Sequence, residues 1–154
     1  MVHVIKPPTP LTNIDFSRTV FLAGSIEMGT AEEWQTQVAQ SLIDENLTLL
    51  NPRRDRWDPT WKQSITNPQF QAQVEWELDA QTQATMIVMY FAPSTQSPIT
   101  LLELGLFANS GKLTVCCPDG FWRQGNVEIV CQRYQIPMVA TLDDLTQAIH
   151  NRFD

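Results

Sequence analysis

The sequence predicts an α/β protein in which a parallel sheet carries helices on both faces. Three observations lead there. Strand-like and helix-like segments alternate from Thr19 onward, no hairpin signal joins two strands, and the most apolar segment, residues 84–91, is hydrophobic on both faces. Only a central strand covered from both sides reads that way, and helix-length crossovers between like strands make them parallel.

Each element has a local reason. Residues 1–17 hold Pro7, Pro8 and Pro10 and are expected to form an extended, irregular lead. Residues 19–23 (TVFLA) form a buried strand closed by Gly24. Thr30-x-x-Glu33 is a capping box, and Trp34, Val38 and Leu42 follow as an i, i+4, i+8 stripe. Residues 47–50 are a second strand ending at Asn51-Pro52. The polar and aromatic run 51–66 is long for a connection, so it is either functional or an ordered surface loop. Asn67-Pro68 supplies an N-cap and first helical position, and Phe70, Val74 and Leu78 are the expected buried stripe.

After the central strand, Ser97-Pro98 repeats that helix start and Gly111 ends the helix. Residues 113–117 form a fourth strand, 126–134 a helix, 137–140 a fifth strand and 142–153 a last helix. Five parallel strands and their helices describe a flavodoxin-like three-layer sandwich, expected as a single domain over residues 1–154. Ligands of such sheets bind outside the carboxyl ends of the strands, at the topological switch point.

Composition narrows the function. The chain has 154 residues with 43% apolar and 18% charged, enough for a packed core. The longest unbroken apolar run, 86–92, is far short of the ~18 residues of a membrane span. No basic segment followed by an apolar run suggests a signal peptide. Cys116, Cys117 and Cys131 have no metal spacing, and an odd count fits reduced thiols in a cytoplasmic protein. His3 and His150 lie at opposite ends and make a poor metal pair. A net charge of −7 disfavours nucleic acid polymers and anionic membranes, and favours a small ligand.

One carboxylate stands out. Glu103 sits inside the apolar run of SPITLLELGLF, flanked on its face by Ile99, Leu106 and Phe107, which are expected to pack and desolvate it. It is either a working carboxylate or part of a capping box with Thr100; Ser97-Pro98 as the better helix start weighs against the second. Glu77 is the other candidate. It flanks the stripe of its helix, and that helix should end at the sheet edge opposite the crevice, so an ordinary solvated acid is the competing reading. Gly24 and Ser25 end the first strand, where a glycine would let the backbone approach a ligand and a serine would offer a hydroxyl. No Walker lysine and no G-x-G-x-x-G follow.

Together FLAGSI (21–26), NPRRD (51–55), Trp57-Asp58, QVEWE (73–77), SPITLLELG (97–105) and GFWRQGN (120–126) resemble the nucleoside 2-deoxyribosyltransferase superfamily, in its deoxyribosyltransferase-like branch. The resemblance spans residues 19–134. It implies a flavodoxin-like fold and cleavage of the N-glycosidic bond of 2′-deoxynucleosides. By it, Glu103 is the nucleophile that forms a covalent deoxyribosyl-enzyme, and Glu77 (with Glu75 as rival) is the acid that protonates the leaving base.

It also assigns binding residues. Gly24, Ser25 and Ile26 bind the substrate, and Trp57, Asp58 and Trp61 stack on and hydrogen-bond the base, the two tryptophans alternatively forming a local cluster or an oligomer contact. Ser97 replaces the aspartate of the transferases and matches the serine with which related 2′-deoxynucleoside 5′-phosphate N-hydrolases hold phosphate. Those hydrolases carry arginine in the turn after Gly-Ser-Ile, where this chain has Glu27, which should repel a phosphate. Asn126 resembles an asparagine lent to a neighbouring subunit's sugar site, which implies a homo-oligomer with shared active sites; as a plain feature it would be a helix N-cap. No metal or organic cofactor is expected. The expected partners are a nucleoside or nucleotide and a free base. Transfer between bases comes first, hydrolysis of a deoxynucleoside or its monophosphate second, and an inactive nucleoside-binding module is the rival of another class.

Overall fold

The computed structural model describes residues 1–27 and 31–154. Along the chain come β1 (His3–Ile5), β2 (Thr19–Gly24), α1 (Trp34–Ser41), β3 (Thr48–Leu50), α2 (Pro68–Gln83), β4 (Met86–Tyr90), α3 (Pro98–Phe107), β5 (Leu113–Cys116), α4 (Gln124–Arg133), β6 (Met138–Val139) and α5 (Leu142–Phe153). Every strand pairing is parallel, in the order β1-β3-β2-β4-β5-β6. Strands β2 to β6 alone follow the 2-1-3-4-5 order, compatible with a flavodoxin-like sheet.

The sheet therefore has six strands, not five. The addition comes from the lead, which was expected to be irregular. Its prolines all follow Ile5, so His3–Ile5 keeps its N–H groups and pairs in register with Thr48–Leu50. Three residues are too few to show a period, and an edge strand with two exposed side chains lacks the apolar signature of a core strand.

Alternation along the inner strands divides the core in two. Phe21, Ala23, Ile87, Met89 and Phe91 face Trp76 and Ala80 of α2, Leu104 of α3 and Val127 of α4. Val20, Leu22, Val88 and Tyr90 face Trp34 and Val38 of α1 and Leu145 and Ile149 of α5. The α1 stripe holds as expected, with Trp34, Val38 and Leu42 all buried. The capping box proposed for that helix involves Thr30, which lies outside the described residues; Glu33 occupies the cap position without a side-chain cap.

Helix α2 is rotated relative to its expected stripe. Asn67 caps it as predicted, accepting from the backbone N–H groups of Gln69 and Phe70. Its buried residues, however, are Gln73, Trp76, Ala80 and Gln81, while Phe70 and Val74 are half-buried and Leu78 is exposed. Two of the buried polar groups donate to backbone: Gln73 Nε2 to the Pro52 carbonyl and Trp76 Nε1 to that of Thr9. The apolar stripe is thereby turned towards open space between α2 and α3.

Candidate active site

That space is a cavity of about 430 Å³, within the range of small-molecule sites. Its floor is the carboxyl end of β2, Gly24 to Glu27, where the chain turns away between β3 and β4. One wall is Phe70, Gln73, Val74, Glu77 and Leu78 of α2; the other is Ser97 to Thr100, Leu102, Glu103 and Leu106 of α3. Pro52, Arg53, Arg54, Trp57 and Gln63 close the third side.

Both candidate carboxyls line it. Glu103 is 7% exposed, and Gln81 Nε2 donates to its Oε2 at 2.5 Å. Thr100 does not share a capping box with it: Thr100 lies within α3, whose cap position is Ser97. Burial raises the Glu103 carboxyl to about 7, against the Gln81 hydrogen bond, which lowers it. Glu77 is half-buried rather than solvated. Because α2 runs antiparallel to the strands, its middle passes the cavity and brings Glu77 there, although its last turn ends at the opposite edge. Burial, then repulsion from Glu103, raise Glu77 to about 8; a hydrogen bond with Gln73 and the Arg54 charge oppose this. The repulsion belongs to the pair, so the two titrate as a coupled dyad. Near neutral pH the arrangement favours one ionised carboxyl, on Glu103, and one protonated, on Glu77.

The desolvation of Glu103 does not come from the neighbours first expected. Ile99 and Leu106, with Leu102, are more than half exposed, and Phe107 is only half-buried. Gln81, fully buried on α2, is what covers the carboxylate. Sequence pattern missed Gln81; its one signal is a glutamine next to the core residue Ala80 on an otherwise helical pattern, four residues after Glu77.

The strand-end motif borders the cavity and also serves the protein's own packing. A Cβ on Gly24 would lie 2.5 Å from Trp34 Cζ2 and 2.6 Å from the Tyr90 carbonyl oxygen. The glycine thus admits protein atoms behind it as well as bordering the cavity. Ser25 is almost fully buried, and its Oγ forms a three-hydroxyl ring with Thr95 Oγ1 (2.8 Å) and Ser97 Oγ (2.5 Å), closed by Thr95 to Ser97 at 2.8 Å. The Ala92 N–H donates into this ring at Ser25 Oγ. Ser97 occupies the cap position of α3 but its side chain caps nothing; its backbone N–H donates instead to Glu27 Oε1 at 2.9 Å.

Trp57 lines the cavity and packs 5.6 Å from Trp61, over which the Arg54 guanidinium sits at 4.8 Å. The Trp57 indole N–H is buried without a partner among the described residues. Asp58 is elsewhere: exposed, it accepts from the Thr60 N–H and hydroxyl, which hold its carboxyl below its usual value. Asn126 is exposed, lies outside this cavity and is not the cap of α4, a position Arg123 takes. Arg53, within the polar run 51–66, is buried and donates to the carbonyls of Ala31 and Glu32.

No metal cluster forms at the cavity among the described residues; the one group with suitable spacing, Glu45, His150 and Asp154, does not line it. The three cysteines are buried and free, and burial pushes Cys117 and Cys131 to about 11, which leaves them protonated.

A family profile described as "Nucleoside 2-deoxyribosyltransferase like" matches residues 17–121, which contain the cavity floor, both walls and both carboxyls. The chain belongs to that family. Its fold resembles a solved structure described as a conserved protein from Enterococcus faecalis V583, at 13% identity and a TM-score of 0.60, covering 88% of this chain and 99% of that one. That likeness concerns the fold. No curated protein matches the sequence. No helix among the described residues is long and apolar enough to cross a membrane.

Proposed function

We propose that this family member cleaves the N-glycosidic bond of 2′-deoxynucleosides and transfers the sugar to another base. The observation that carries the reading is that Glu103 and Glu77 line one cavity with their proton affinities ordered for nucleophile and acid. An Oε of ionised Glu103 attacks C1′, and the C1′–N bond breaks with its electron pair leaving on the base nitrogen. Protonated Glu77 supplies the proton that neutralises the base. An acceptor base then attacks C1′, releases the Glu103 carboxylate and returns its proton to Glu77. Two displacements retain configuration. Carboxylate charge beside C1′ also stabilises an oxocarbenium-like transition state.

Trp57 supplies a flat wall and an indole N–H for the base. The exposed α3 residues Ile99, Leu102 and Leu106 support a homo-oligomer in which a second subunit covers the cavity. Asn126, exposed and outside its own cavity, would serve the neighbour's. The same open rim favours hydrolysis as the second reading, because water reaches the cavity in an isolated chain.

The test is a panel of 2′-deoxynucleosides and their 5′-monophosphates, with and without a free acceptor base, followed by chromatography. Exchange of base that disappears in Glu103→Gln supports transfer. Base release unaffected by acceptor supports hydrolysis. Ligand binding without release of base on any panel member points to a binding module and overturns the enzymatic reading.

A further inference from the structure

We infer that Arg54 selects the base at this cavity: it favours one that presents a carbonyl, such as hypoxanthine or uracil, over one that presents an amino group there, such as adenine or cytosine. The inference rests on the nucleoside reading above and concerns which base that nucleoside carries.

The wall that carries Trp57 offers a ligand donors. Arg53, Arg54 and Trp57 line the cavity from it, and none of these side chains has a hydrogen-bond acceptor. The Trp57 indole N–H is buried without a partner among the described residues. Arg53 is engaged with the carbonyls of Ala31 and Glu32. Arg54 is held differently. Its Nε donates to Gln73 Oε1 at 2.5 Å, and its guanidinium lies over the Trp61 ring, 4.8 Å from the centroid. Those two contacts fix the plane of the group from behind and use neither terminal nitrogen. Among the described residues Nη1 and Nη2 have no hydrogen-bond partner. A planar fork held in this way suits a carbonyl oxygen, which accepts from it with the help of its charge.

Acceptors on this wall are turned away or taken. Asp58, the acceptor expected beside Trp57, holds the Thr60 N–H and hydroxyl and does not line the cavity. Gln73 Oε1 receives Arg54, and the Pro52 carbonyl receives Gln73 Nε2. Gln63, exposed at the rim, is the remaining amide. An amino group facing Arg54 therefore gives up its water and meets a donor, whereas a carbonyl in its place meets its complement. Arg54 and Glu77 are close enough for each charge to act on the other, so the selected edge lies near the group that protonates the base. As the C1′–N bond breaks, the electron pair passing to the base spreads onto its carbonyl oxygen. The guanidinium contact strengthens at that moment, which favours the same bases in turnover.

Calorimetry on the Glu103→Gln protein, which cannot consume its ligand, tests this with matched pairs: 2′-deoxyinosine against 2′-deoxyadenosine, and 2′-deoxyuridine against 2′-deoxycytidine. A charge-assisted hydrogen bond on one side and two opposed donors on the other predict that the carbonyl member binds about 10- to 100-fold more tightly. Adding Arg54→Met, which keeps a flexible chain beside Trp61 without donors, should bring the ratios within about threefold, mainly by weakening the carbonyl member. Arg54→Lys is the second variant. It keeps the charge but not the planar fork, and should also narrow the ratios, by about threefold or more. Thermal unfolding verifies that both fold.

Equal binding within the pairs, or tighter binding of the amino member, overturns the inference, as does a preference that neither Arg54 variant narrows, or no binding of any of the four. Carbonyl-selective binding in a protein whose Glu103 form releases no base leaves this inference standing and overturns the enzymatic reading. Release of base from all four nucleosides at matching kcat/KM does the reverse.

Discussion

Gln81 Nε2 donates to Glu103 Oε2 at 2.5 Å from a fully buried position on the neighbouring helix. This bond fixes the orientation of the carboxylate and lowers its proton affinity against the effect of burial. The amide also donates to the Glu77 carbonyl, so one side chain ties the backbone at Glu77 to the Glu103 carboxylate. Gln81→Leu should therefore raise the Glu103 pKa above about 7 and move the acid limb of the kcat/KM profile upward. A hydrogen bond to a charged group is worth about 1.5–3 kcal/mol, which corresponds to about 10- to 100-fold in activity at pH 6. A profile superimposable on wild type would remove Gln81 from the machinery.

The dyad predicts a bell-shaped kcat/KM profile. Glu103 must be ionised, which requires pH above about 7, and Glu77 protonated, which requires pH below about 8. Glu77→Gln should lose the alkaline limb and slow turnover by about 100-fold, less for substrates whose base leaves without protonation. Glu75, exposed and outside the cavity, should tolerate the same change with no kinetic effect. Rate–pH curves of the two variants decide between them.

Stability should carry the mark of the same carboxyls. Their folded pKa values lie above the ordinary carboxylate value, so the folded state binds more protons than the unfolded state between about pH 4.5 and 8. Stability is then fully present below that window and declines as pH rises through it. The loss for the pair is on the order of several kcal/mol. Glu103→Gln should flatten the decline and unfold at a higher temperature than wild type at pH 8, but not at pH 5. Thermal unfolding across that range measures it; a wild-type protein that gains stability from pH 5 to 8 contradicts the burial of the pair.

Gly24 tolerates no side chain because Trp34 and the Tyr90 carbonyl occupy the space a Cβ needs. Gly24→Ala should destabilise by about 2–3 kcal/mol through overpacking, seen as a lowered Tm. Pairing it with Trp34→Phe, which frees room, should recover part of that loss. Equal unfolding temperatures for Gly24→Ala and wild type would refute the close approach.

Much of the architecture was legible because burial on both faces leaves long apolar strands, and β2 and β4 announce themselves that way. Helix starts were legible too: Asn67 caps α2 and Ser97 begins α3 as their proline neighbours indicated. The sixth strand escaped because three edge residues have too little pattern to distinguish them from an extended lead. The rotation of α2 escaped for a different reason. Hydrophobic periodicity assumes that apolar residues seek the core, whereas here Gln73 and Gln81 are buried through hydrogen bonds and the apolar stripe lines the cavity. Glu103 was legible as an anomaly in an apolar helix. Glu77 was picked out by the family resemblance but not by pattern, since a carboxylate on a helix flank looks the same whether its neighbour is solvent or another acid. Asp58, a plausible base contact from its place beside Trp57, turned out to be occupied with Thr60.

Phe70, Val74 and Leu78 form a stripe that resembles core but borders open space. Populations of variants chosen solely for surviving heat should drift freely at these three positions and even accept polar side chains there. Populations chosen for turnover should hold them apolar. Divergence between two such selections, begun from this one sequence, would trace the outline of the cavity without any structure at all.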